Sequence, residues 1–518
     1  MAAALLHAFG ASRAVEVAGK RDRIALRPGR WVSLWLGEKG ETDDLALECE
    51  LQVTVGAAAL NGEPDYPARC SGFAPATLAS GCYLAAIAVA ASMTEAPCHW
   101  RLSAFHAARS LMQLPYARLA FEPERVVCTG RLGGQWPPNG VYPTQNGFMA
   151  VLCPTDRDWE DLGVLSGDPF LAAWSQEPEF RRNSLAKQAE AHIAAWLAFQ
   201  QAESLAAEAQ AWRLPWAPLR SPGARYQGEP AVRLLAARST GNGALDRGRA
   251  CCGSTCLPLA GLRILDLTTM WSGPSVTRWL QALGAEVVKL ESRRRPDGLR
   301  LAGASKDEAL AEGGPAYRAL NDGKRHVFAE LDTPAGRRFF LEEIAETDLL
   351  IENFTPRVME NFGLDEALLW QYNPRLLWLS MPGFGGTSEE RNWVGYGATI
   401  EAASGAAWLT QDHRGRPMGS GYPVSDGVIG AFGCFVALAL LRWAEIEGMA
   451  AHAELSQVRF LAEWAWRAQE SGLAAALAGQ RLEGVPTPQV LVDEWRAEGF
   501  FESTKSYRMR PPWQCMPF

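Results

Sequence analysis

The chain predicts an α/β protein, a doubly wound parallel sheet accompanied by a smaller α+β domain, and three observations carry that expectation. First, the apolar run Leu262-Arg263-Ile264-Leu265-Asp266-Leu267 is followed by an amphipathic stretch from Ser275 to Leu283 and a second run, Glu286-Val287-Val288-Lys289-Leu290. Short apolar runs bracketing a helical period mark a βαβ unit, whose parallel strands take a right-handed crossover. Second, further runs at 326–331, 348–351 and 376–380 extend the same sheet. Third, residues 51–91 align without gaps on residues 400–440, with nine of 41 positions identical, Gly56/Gly405, Leu60/Leu409 and Gly72/Gly421 among them. A repeat within one chain points to an intrachain pseudo-dimer.

In chain order, residues 1–115 read as a partial first copy, helical at 84–91 and 104–114, with a loop Gly62-Glu63-Pro64-Asp65-Tyr66-Pro67. Residues 116–213 read as a small α+β domain: a turn at 140–144, a strand at 147–152 and an Ala/Glu/Gln-rich helical stretch at 186–211. The Pro-, Gly- and Ser-rich residues 214–256 read as a linker. Residues 257–445 carry the Rossmann-like sheet, opened by a turn at 271–274, and 446–518 read as a helical return segment.

Composition narrows the function. At 518 residues, and with roughly 150 residues per domain, two or three domains are expected. Fifty basic against 58 acidic side chains give a net charge of −8, and the longest basic run is Arg293-Arg294-Arg295, so nucleic acid is not an expected partner. Eleven cysteines without CxxC pairs fit reduced thiols, and Cys251, Cys252 and Cys256 lack a neighbouring histidine, so no metal is expected. Met1 to Leu6 is apolar but has no basic residues ahead of it, which argues against secretion or membrane association and for a cytoplasmic location. No GxGxxG follows the first strand, so a nicotinamide cofactor is not expected. The histidines, His106 and His413 included, show no metal-ligand or Ser/His/Asp spacing.

Residues 259–427 resemble the class III CoA-transferases, the carnitine/bile-acid-inducible type that includes formyl-CoA transferase. The resemblance rests on Ser272-Gly273-Pro274 after the first strand, Leu283-Gly284-Ala285-Glu286-Val287-Val288-Lys289-Leu290-Glu291, Asn321-Asp322-Gly323-Lys324-Arg325, Glu352-Asn353-Phe354 and Asn373-Pro374-Arg375-Leu376. The first half is similar to the family's small domain at Gly133-Gly134-Gln135, Tyr142-Pro143-Thr144, Arg157-Asp158-Trp159 and Leu214-Pro215-Trp216-Ala217-Pro218. After residue 458 the chain skips to segments like the family's closing ones, Gly484-Val485-Pro486 and Gly499-Phe500-Phe501. Two incomplete copies, with complementary deletions, are thus expected to mimic one intertwined dimer.

The resemblance implies transfer of CoA between an acyl-CoA and a free carboxylic acid, with CoA as substrate and no tightly bound cofactor. An aspartate attacks the thioester to give a mixed anhydride, and returning thiolate gives an aspartyl-CoA thioester. Asp65, in a loop like the family's Gly-Glu-Pro-Asp pattern, is the expected nucleophile, and Gly133, Gly134 and Gln135 the expected flap donating N–H groups to the oxyanion. Asp65 falls opposite Arg414 in the repeat, and Thr77 opposite Asp426. The expected CoA contacts are Trp271, Ser272, Gly273, Pro274, Lys289, Arg293, Arg294, Asn353, Phe354 and Gly383, arginine suiting the phosphates. The chain departs from the formyl-CoA enzymes at Trp271 for glutamine, Ser292 for arginine and Pro382 for lysine. In the racemase branch a His/Asp pair moves the proton; Tyr396 stands at the His position, while Asp426 matches the Asp. A homodimer or pairing with a related subunit is expected, and a CoA-binding or scaffold subunit without turnover is the competing reading.

Overall fold

The computed structural model describes residues 23–27, 30–35, 44–94, 98–119, 126, 128, 130, 138–177, 184–226, 229–240, 257–302, 311–480, 482 and 511–517. Gly133, Gly134 and Gln135, the cysteines at 251, 252 and 256, and the segments 484–486 and 499–501 lie outside them.

A seven-stranded sheet runs in the order Arg325–Phe328, Glu286–Glu291, Arg263–Asp266, Leu349–Glu352, Leu377–Ser380, Met449–Leu455, Val232–Ser239. The first six strands are parallel. By chain order they stand third, second, first, fourth, fifth, sixth, the doubly wound arrangement in which the winding reverses beside the first strand. The residues explain this: Ile264, Leu265, Leu349, Leu350, Ile351, Leu377 and Leu379 are buried, as strands covered on both faces require. The seventh strand, Val232–Ser239, pairs antiparallel with Met449–Leu455 and lies in the stretch read as a linker. It is a largely exposed edge strand whose short apolar stretch, Leu234–Ala237, is flanked by Arg233 and Arg238.

Three local expectations are revised. Ser272-Gly273-Pro274 is the first turn of the helix Ser272–Ala282 rather than a separate turn; proline is tolerated there because its missing N–H would have no helical partner. Asn139–Thr144 is a strand, closed onto Gly147–Leu152 by Gln145-Asn146, and Pro143 fits because the strand is at the sheet edge. The helical stretch of the small domain is two helices, Ala186–Leu197 and Ala202–Ala211, packed under a separate apolar cluster that includes Trp159, Trp174 and Trp216.

The repeat is visible as a reciprocal contact. Gly56 and Gly405 both take left-handed backbone, at φ 69° and 89°, and each leads into a short 3-10 turn, Ala58–Leu60 and Ala407–Leu409. The Gly72 backbone lies so close to Leu409 that a Cβ would sit 2.0 Å from its carbonyl oxygen; at Gly421 the same atom would sit 1.6 Å from the Leu60 oxygen. Gly72 N–H donates to Thr410 Oγ1 (3.0 Å), and Gly421 N–H to the equivalent Asn61 Oδ1 (2.9 Å). Each copy makes on the other the contact the other makes on it, as in a two-fold dimer interface. The equivalent helices Pro75–Ser92 and Ser425–Glu447 pack on one another through the centre of the largest core cluster. Both are long and apolar enough to cross a membrane, yet most of each is buried inside the protein.

Candidate active site

Where the winding reverses, between Arg263–Asp266 and Leu349–Glu352, the loops beyond the carboxyl ends of the strands part and leave a crevice. A cavity of about 270 Å³ lies there, lined by Thr269, Met270, Trp271 and Ser272 after one strand and by Asn353, Phe354 and Thr355 after the other. Its walls come from both halves of the chain, with Leu114, Asn139, Leu152 and Arg213 contributed by the first.

Of the expected CoA contacts, Trp271, Ser272, Asn353, Phe354 and Gly383 line this cavity. Asn353 accepts from Thr269 N–H (2.8 Å) and donates to Thr269 O (2.9 Å), lacing together the two loops that form the crevice. Trp271 meets Tyr422 edge to face, with ring centroids 5.7 Å apart. Gly273 lies beneath the floor, where a Cβ would strike Thr268 at 2.4 Å, and the Pro274 carbonyl accepts from Lys324.

Three expected cations are placed elsewhere. Lys289 is fully buried, 3.7 Å from Asp266 and 3.9 Å from Asp297, and donates to the Thr268 carbonyl. Burial pushes the Asp266 carboxyl up, but Lys289 and Lys324 outweigh it and hold the group at about 2. Lys289 thus neutralises an interior carboxylate under the strands. Arg293 lies over the Phe328 ring at 4.3 Å, and Arg294 pairs with Glu330 and Asp332; both are exposed and neither lines the cavity.

The carboxylate in the cavity is Asp426, not Asp65. Asp65 is exposed, in a loop docked on the other copy through Tyr66, stacked on His413 at 3.8 Å, and through Glu63, paired with the same histidine. Asp412 is sequestered too, its carboxylate accepting from Arg414 N–H, Arg416 N–H and the Arg416 side chain. Asp426 stands in the first turn of Ser425–Glu447, where helix N–H groups favour an anion. The Ser272 side chain, whose hydroxyl donates to Gln457 (3.3 Å), and the Gly397 backbone N–H favour its ionised form. Burial first, then the nearby Glu401 charge, raises its carboxyl to about 7. A Cβ on Gly397 would lie 2.6 Å from Asp426 Oδ2, so glycine is what lets the carboxylate sit there.

The first copy reverses this pair: Thr77 stands at the Asp426 position and Glu48 at the Gly397 position. Glu48 is buried and accepts from Ala76 N–H (3.1 Å) and Thr77 N–H (2.6 Å), capping Pro75–Ser92. A carboxylate therefore meets both helix starts, and that of the second copy lines the cavity. The sequence carried the signal for Asp426 in the mismatch with Thr77.

A larger cavity, about 560 Å³, shares Phe354 with the first. Its ionic groups pair among themselves: Arg233 with Glu454, Arg391 with Glu360, and Ser380 with His452 with Glu366 at 2.8 and 2.7 Å. No cluster of metal-ligating side chains is found among the described residues.

The profile of CoA-transferase family III matches residues 36–235 and again 259–487. The chain is 34% identical over 198 residues to the succinyl-CoA–L-malate CoA-transferase beta subunit of Chloroflexus aurantiacus, covering 38% of this chain and 48% of the relative. It is 32% identical over 203 residues to the succinate–glutarate CoA-transferase of Agrobacterium fabrum, covering 38% and 50%. The chain thus spans about half the length of these relatives. A CaiB/BaiF family protein from Brucella suis superposes with a TM-score of 0.38 at 28% identity, covering 44% of this chain and 60% of that one. Matched over most of its length, in two successive copies, the chain belongs to CoA-transferase family III.

Proposed function

We propose that the protein transfers CoA between an acyl-CoA and a free carboxylic acid, with Asp426 as the nucleophile. The observation that carries this is a partly buried carboxylate, with its pKa raised, at the wall of a cavity built by both halves of the chain. An Asp426 oxygen attacks the thioester carbonyl carbon, the C–S bond breaks, and CoA thiolate leaves a mixed anhydride. The thiolate then attacks the Asp426 carbonyl carbon, releasing the donor as a carboxylate and leaving an aspartyl-CoA thioester. The acceptor carboxylate attacks that thioester and expels the thiolate, which returns to the acceptor's carbonyl and frees Asp426. Such an anhydride survives only where water is kept out, which the burial of Asp426 favours. A carboxyl raised to about 7 is a stronger nucleophile when ionised than a free aspartate and is still substantially ionised at neutral pH.

Racemisation fits less well, since burial lifts the Tyr396 phenol to about 12 and leaves it neutral where a proton-accepting base would be needed. The relatives named for succinyl-CoA, L-malate, succinate and glutarate make short carboxylic acids the first substrates to try. The test is to incubate the protein with labelled acyl-CoA, trap with hydroxylamine or borohydride, and map the modified residue. Label on Asp426, abolished by Asp426→Ala and retained in Asp65→Ala, is the expected result. CoA binding without any label would establish the non-catalytic subunit instead.

A further inference from the structure

Arg294 is engaged by Glu330 and Asp332, Arg293 lies over Phe328, and neither lines the cavity, so which cation holds the phosphate-bearing end of the thioester is a question that rests on the reading above. Among the described residues lining the cavity, Arg213 has the one cationic side chain, and it comes from the first half of the chain. Its backbone is left-handed, φ 69°, a conformation uncommon outside glycine and often kept where function fixes a side chain. Its Nη1 donates to the Asn392 carbonyl at 2.6 Å. Arg357 stands in the helix Pro356–Asn361 between Thr355 and Val358, which both line the same cavity; burial first, and then the charge of Arg357, lowers the Arg213 pKa. Other arginines of this region are neutralised, Arg220 and Arg391 by Glu390 and Glu360. Among the described residues neither Arg213 nor Arg357 has a carboxylate within 4.0 Å.

Two mutually repelling cations without a counter-charge gain most from a polyanion between them. Arg357 is exposed and Arg213 partly so, and Asp426 stands on another wall of the cavity that Arg213 lines. A CoA thioester has the matching polarity, with phosphates at one end and the reactive carbonyl at the other. We propose that Arg213 and Arg357 hold the phosphate groups of the CoA substrate at the cavity mouth, so that the first half of the chain anchors the ligand on which Asp426 of the second half acts.

The experiment compares coenzyme A with an S-acyl-pantetheine thioester, which lacks the phosphates. Arg213→Gly keeps the left-handed backbone relaxed, and Arg357→Gln alters an exposed side chain, so both variants are chosen to fold. Calorimetric CoA binding is expected to weaken about tenfold in each single variant and about a hundredfold in the double one, as loss of charge-assisted contacts implies. The salt dependence of CoA affinity should flatten in step, while transfer from S-acyl-pantetheine stays as in the wild type. Unchanged CoA affinity in both variants, or an equal loss with the pantetheine thioester, overturns the assignment. If circular dichroism shows Arg213→Gly unfolded, Arg357→Gln decides alone. Wild-type protein that binds CoA but leaves no label on Asp426 would refute the transferase reading, while the binding comparison would still judge the two arginines.

Discussion

Replacing Asp426 by asparagine should abolish transfer and yet stabilise the fold, by an amount that depends on pH. The folded carboxyl titrates at about 7 against an ordinary 3.8, so the native state holds this proton more tightly than the unfolded chain. The contribution to stability is therefore complete below pH 3.8, decays as pH rises toward 7, and falls no further above it. At about 1.4 kcal/mol per unit, the wild type loses roughly 2 kcal/mol by pH 5.5 and roughly 4 kcal/mol by pH 8. Asparagine accepts the Gly397 N–H without titrating, so Asp426→Asn should exceed the wild type by about those amounts. Urea unfolding at pH 5.5, 7 and 8.5, followed on the first transition, measures the difference. A gain that does not grow between pH 5.5 and 7, or a variant weaker than wild type at pH 8.5, would refute the account of a strained, buried nucleophile.

The same titration predicts that kcat/KM rises about tenfold per pH unit below 7 and levels off above it, since only the ionised carboxylate attacks; a flat profile from pH 5.5 to 8 would count against Asp426. Gly397→Ala should cut transfer severely, because the added Cβ falls 2.6 Å from Asp426 Oδ2, and a steady-state assay beside a melting curve separates this from misfolding. Gly421→Ala should lower stability by about 1–3 kcal/mol or more, as the methyl collides with the Leu60 backbone across the pseudo-two-fold contact, read by chemical denaturation. Lys289→Met should cost about 1–3 kcal/mol, less than a fully broken buried pair because Lys324 still faces Asp266 at 3.1 Å, and any folded fraction should keep wild-type CoA affinity.

The doubly wound sheet could be read because its central strands are covered on both faces, so Ile264-Leu265 and Leu349-Leu350-Ile351 appear as apolar runs. The edge strand Val232–Ser239 could not, because most of it faces solvent and Arg233 and Arg238 flank its short apolar stretch. The loops of the crevice were legible in the motifs around Trp271, Ser272, Asn353 and Phe354. The expectation at Asp65 met an exposed side chain outside the cavity lining, because a turn-like Pro-Asp pattern says nothing about what the carboxylate faces.

The sequence by itself determined the winding of the sheet and the existence of two related copies, since both are written in local apolar runs and in matched glycines. The tertiary structure alone decided which carboxylate lines the cavity and which cations have no carboxylate beside them among the described residues. Burial, neighbouring charge and the absence of a side chain at Gly397 are set by residues far apart along the chain. Asp65 and Asp426 differ little as letters; one is exposed to water and the other is partly buried on the wall of a cavity, and that difference in solvation shifts only the second.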